Sequence, residues 1–148
     1  NIDRWYNCFV LGYKERHIVG KSEKVEDTCR PYALNKLITH MIEAKSIPKV
    51  IEKLKDDRFC RERLKTFGWM KGARLHIDDC IMLKQRALES KMTTTAEVRK
   101  VILSCLKKMA AILSEETPNL TDEMRVEKAV ALHLVGFTQA DNNGVSEA

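Results

Sequence analysis

From Pro31 onward the apolar residues follow a helical period. Leu34, Leu37, Ile38, Met41 and Ile42 stand at i, i+3, i+4, i+7 and i+8, so residues 31–44 read as an amphipathic helix with proline in its first turn. Ser46 and Pro48 open a second segment, 46–67. There Ile47, Val50, Ile51, Leu54, Cys60 or Arg61, Leu64 and Phe67 track one face, and Gly68 supplies the stop signal. A third helix is expected over 77–91, burying Ile77, Cys80, Ile81, Ala87 and Leu88. The fourth, 95–115, has the clearest pattern. Thr94 and Glu97 have capping-box spacing, and Val98, Val101, Ile102, Cys105, Met109, Ile112 and Leu113 form a wide apolar stripe. TPNL (117–120) then breaks the pattern. Thr121, Asp122 and Glu123 open a fifth helix, 121–136, with Val126, Ala129, Val130 and His133 on one face and Gly136 at its end.

The first thirty residues differ. WYNCFVLGY (5–13) and HIVGK (17–21) are rich in aromatic and β-branched residues and are separated by polar residues. They predict an extended or hairpin element packed on the bundle, although periodicity alone does not separate a short strand from a buried helix. KSEKVED (21–27) reads as a solvated connector. The expected fold is therefore one all-α domain, a compact bundle of about five antiparallel helices over 31–148, preceded by the segment 1–30. No repeat of fixed period suggests a solenoid.

Composition narrows this picture. A chain of 148 residues with 44% hydrophobic and 32% charged residues is globular in class and long enough to bury a core without metal or disulfide staples. Six glycines and three prolines are too few for a fold of many short strands and turns. Five cysteines, at 8, 29, 60, 80 and 105, form no CxxC pair and sit mostly among apolar helical positions. They read as reduced thiols of an intracellular protein, cytoplasmic or nuclear, rather than a secreted disulfide framework. The Asn119-Leu120-Thr121 sequon is more simply explained by Thr121 as a helix cap. No apolar run approaches the roughly 20 residues of a membrane span. The chain opens without methionine and closes on GVSEA, and so reads as a domain excised from a larger protein.

Charge supplies the one candidate binding surface. Twenty-six basic and 21 acidic residues give a net charge of +5, and the excess is local: Lys45 to Arg74 holds ten cations against four acids. Arg58, Arg61 and Lys65 form a ridge at i, i+3 and i+7 that leads into the Gly-Trp-Met-Lys-Gly corner, 68–72. With Lys49, Lys53, Trp69, Lys71 and Arg74 they make a candidate nucleic-acid surface, in which cations hold phosphates and the indole stacks on a base. The competing reading pairs Asp57 with Arg61, and Glu62 with Arg58 and Lys65, as helical ion pairs, and plugs Trp69 into the core.

Other chemistry is thin. His76, Asp78, Asp79 and Cys80 are metal-type ligands on one stretch, but they lack the second close pair that a structural zinc requires, so no metal or cofactor is expected. No nucleophile elbow, P-loop or dinucleotide-binding glycine pattern is present, and the chain is not expected to be an enzyme. The favoured function is docking of a protein partner on a helix face or groove, with Met70, Met82, Met92, Met109 and Met124 as candidate groove residues. RNA or DNA binding through the basic segment is the alternative. Self-association fits either reading, and no membrane partner is expected.

Overall fold

The computed structural model describes residues 23–90 and 94–142, with side chains from Pro31 onward. These form six helices and no strand: α1 Glu23–Glu43, α2 Ile47–Leu54, α3 Asp57–Phe67, α4 Trp69–Glu89, α5 Thr95–Leu113 and α6 Asp122–Asn142. The all-α bundle is as expected, with four corrections to its boundaries. The hairpin expected over the first residues lies outside the described residues up to 22.

The first correction is at α1, which begins at Glu23 and runs through Pro31, so residues 23–30 are helical rather than connector or hairpin. A polar stretch carries no apolar period, and its pattern cannot distinguish a solvated helix from a linker. The helix ends in a Schellman arrangement: Ser46 N–H donates to Met41 O and Lys45 N–H to Ile42 O, with Lys45 at φ 60°. The second correction divides 46–67 into α2 and α3. Asp56 is in an extended conformation and accepts a hydrogen bond from Arg58 N–H at 2.9 Å, so it caps α3 and breaks what reads as one face.

The third correction concerns 69–76, which is helix. Gly68 alone joins α3 to α4, at φ 88° and ψ 170°, a conformation that side-chain-bearing residues strongly disfavour. Trp69 is therefore the first residue of α4 and not part of an open corner. Along the same helix, Ile81 and Leu88 prove exposed while Leu83 and Ala87 are buried. The fourth correction is at α6, which passes through Gly136 to Asn142. Its start is as predicted, with Thr121 Oγ1 accepting from Met124 N–H at 3.2 Å, and the Thr94–Glu97 capping box of α5 is complete.

Helices α4, α5 and α6 run up, down and up. His76 of α4 meets Cys105 of α5, while Asn142, at the end of α6, donates to Arg99 O near the start of α5. Helices α1 to α3 pack on this layer through α4 and α5, and among the described residues α6 touches only α4 and α5. One core unites them, from Leu34, Ile38, Val50 and Leu54 through Leu64, Cys80, Leu83, Ile102, Leu106 and Met109 to Ala131 and Val135. At Gly72 the backbones of α3 and α4 nearly touch: a Cβ there would lie 2.9 Å from Arg63 O and 3.0 Å from Leu64 Cα.

Candidate docking face

The sequence singles out the basic segment. Arg58, Arg61 and Lys65 do share the solvent side of α3. Arg61, however, is fully engaged. Its Nε donates to Asp57 at 2.6 Å, and its two terminal nitrogens grip Glu115, just beyond α5, at 2.7 and 2.5 Å. Lys108 joins the other Asp57 oxygen at 2.9 Å. These cations hold the Asp57 carboxyl below its ordinary range, and Arg61 does the same for Glu115. Lys53 is paired with Asp56 at 3.8 Å and lies over the Phe59 ring at 5.3 Å, and Lys71 lies over Phe67 at 5.1 Å. Lys49, Lys65 and Arg74 are exposed. Trp69 is half-buried and packs against the core.

Arg63, one of the ten cations counted between Lys45 and Arg74, is wholly buried. Its Nε donates to Leu34 O of α1 at 2.9 Å, its Nη2 donates to Asp79 of α4, and its guanidinium stacks over Phe59 at 4.4 Å. The signal was available: Cys60, Arg63, Leu64 and Phe67 occupy i, i+3, i+4 and i+7 on the apolar side of α3. Burial raises the Asp79 carboxyl, opposed by the Arg63 charge. His76, also fully buried, shares a hydrogen bond with Cys105 O at 3.0 Å, and burial beside Arg63 lowers its pKa to about 4.

The thiols complete this interior. Cys60 donates to Leu54 O at 3.5 Å, and burial pushes its pKa up to about 12. Cys80 and Cys105 hydrogen-bond one another, which raises the first and lowers the second. The metal-type stretch is thus divided: His76 and Asp79 serve the core, and Asp78 faces solvent. Among the described residues no group of three or more His, Cys, Asp or Glu side chains is placed to hold a metal ion.

Among the described residues, a surface without an evident structural role lies on α6. Its inward side buries Ala131 and Val135 against α4 and α5. On the opposite side Val126, Val130 and Phe137 are 62, 47 and 63% exposed, with His133 between them and its ring 6.4 Å from that of Phe137. At a rise of about 1.5 Å per residue this stripe extends about 16 Å along the helix. The candidate methionine groove does not form as a unit: Met109 is core, Met70 and Met82 are half-buried against it, Met124 is exposed on α6, and Met92 lies outside the described residues.

No family model, curated protein or solved structure gives a match to this chain. Besides the stripe, an open groove of about 790 Å³ lies alongside α6, floored by Leu113, Leu120, Ala129 and Leu132. Lys128 crosses its rim to donate to Glu115 O and to Thr117 Oγ1. Phe137 lies beyond Gly136, the helix end that the sequence predicts, although 126, 130, 133 and 137 continue a single helical spacing. Among the described residues no helix is long and apolar enough to cross a membrane.

Proposed function

We propose that the protein is a non-enzymatic helical interaction domain that docks a protein partner on the outward face of α6. The observation that carries this is the second apolar side of α6. One side already builds the core, and the other presents Val126, Val130 and Phe137 to solvent in a continuous stripe. Single exposed apolar residues are ordinary, but a contiguous exposed row is characteristic of an interaction surface. The buried state of His76, Cys60, Cys80 and Cys105 supports the non-enzymatic reading, since a nucleophile and its base need access to substrate. Those three cysteines are free, which fits a reducing intracellular compartment.

The paired glutamate variants Val130→Glu and Phe137→Glu test this. Both positions are outside the core, so helicity and melting temperature are expected to hold. A photo-crosslinking residue at position 126 is expected to yield a discrete protein adduct in extract that the glutamate pair abolishes. An adduct that persists in the pair contradicts docking through this face. Adduct formation that requires RNA and is lost on alanine substitution of Lys65 and Arg74 would move the function to the basic side instead.

A further inference from the structure

The α6 face has a charge pattern that its apolar stripe does not explain. The exposed sector holding Val126, Val130, His133 and Phe137 also holds Asp122, Glu123 and Asp141, and it contains no lysine or arginine. Lys128 points away from it, about 160° around the helix from Val130, and Arg125 flanks its edge, about 60° from Asp122 and about 100° from Val126. The result is an apolar centre with acids at both ends, on a chain of net charge +5.

The acids at the N-terminal end have a structural explanation. Asp122 and Glu123 occupy the first turn, where the helix dipole favours negative charge. Asp141 does not. It stands in the last turn, which holds no basic residue, and there the dipole disfavours an acid. Asp141 is exposed and has no ion-pair partner among the described residues, so it contributes nothing evident to the fold. Its placement makes sense against a partner.

Resting on the docking reading above, we infer that the partner of this face is a basic amphipathic helix: an apolar stripe for Val126, Val130 and Phe137, flanked by lysine or arginine for Asp122, Glu123 and Asp141. Helix-on-helix docking uses anchors at the same i, i+4, i+7 and i+11 spacing that the stripe presents. A second copy of this chain meets the requirement poorly. Pairing α6 with α6, parallel or antiparallel, sets the acids of one copy beside those of the other, and like charges across an interface select against that partner. Nucleic acid is disfavoured on this face by the same three acids.

The test is a titration of the whole protein against two labelled 18-residue peptides with one leucine stripe, the first flanked by lysine and the second by glutamate, read by fluorescence anisotropy at low and physiological salt. The lysine peptide is expected to bind about tenfold or more tighter, with that advantage shrinking as salt rises. Glu123→Lys with Asp141→Lys is expected to remove or reverse the preference, and Phe137→Glu to abolish binding of both peptides. If both bind equally and Phe137→Glu still abolishes binding, the charge assignment is wrong and the docking face stands. If neither binds, or Phe137→Glu has no effect, the docking reading itself falls. Sedimentation of the protein alone completes the set: a dimer dissolved by Phe137→Glu would overturn the inference in favour of self-association.

Discussion

At the scale of single residues, three glycines with one side chain in common differ in what they do. Gly68 has a backbone conformation that is nearly closed to other residues, and Gly72 has the α3 backbone where a Cβ would go, whereas a Cβ at Gly136 meets nothing within 4 Å. Alanine at Gly68 is expected to cost about 1–3 kcal/mol through backbone strain. At Gly72 the neighbours are main-chain atoms that cannot turn aside, so alanine costs a similar roughly 1–3 kcal/mol by overpacking. Alanine at Gly136 stabilises by about 0.5–1 kcal/mol, since it only improves helix propensity in mid-helix. Denaturant midpoints of the three variants check the order, and a stabilising Gly72→Ala would contradict the close approach. His76 gives the second residue-scale expectation. Its folded pKa of about 4 lies below the ordinary value of 6.5, so the folded state binds the proton less tightly than the unfolded state. Stability from this group is therefore fully present above about pH 6.5 and is lost as pH falls toward 4, by on the order of 3 kcal/mol. The lowered carboxyls of Asp57 and Glu115 add loss in the same direction at lower pH, and the raised carboxyl of Asp79 opposes it there. Urea unfolding from pH 7 to 4 is expected to show the slope, and His76→Gln to flatten it.

At the scale of elements, what the sequence made legible was the period, and what it hid was mostly at ends and junctions. The capping box and stripe of α5 were readable in full because cap chemistry and apolar period agree over a long helix. The break at Asp56 is marked twice, by the Asp56 cap and by a phase jump, since at about 100° per residue the apolar face of 60–67 stands more than about 100° around from that of 47–54; spacing counted residue to residue hides that jump. The entry of α4 was hidden by Gly68, which serves at once as the end of α3 and the start of α4, leaving no loop to read. The burial of Arg63 is hidden in a count of charges, although its spacing places it with Cys60 and Leu64. The α6 face was half legible. Val126, Val130 and His133 were grouped correctly, but a grouping of apolar residues does not say which of two sides is buried, and the core side proved to be that of Ala131 and Val135. Alanine scanning separates the two. Val135→Ala is expected to cost roughly 2 kcal/mol for two buried methyl groups lost, and Val130→Ala to stay within about 0.5 kcal/mol.

At the scale of the molecule, the two surfaces offered by the sequence divide into one that is internally occupied and one that is open. Much of the basic side is tied into the protein through Arg61 and its carboxylates and through the buried Arg63. The outward side of α6 is apolar at its centre and acidic at its ends, and it has no neighbour among the described helices. The central claim is that this side is where a partner docks. It is tested most directly by following the backbone amides of the labelled protein by NMR during titration with the lysine-flanked leucine peptide, and separately with a single-stranded oligonucleotide. The predicted result is that the peptide shifts amides over residues 122–141 and leaves 58–74 in place. Peptide-independent shifts centred on 58–74 with the oligonucleotide, and none on α6 with the peptide, would contradict it.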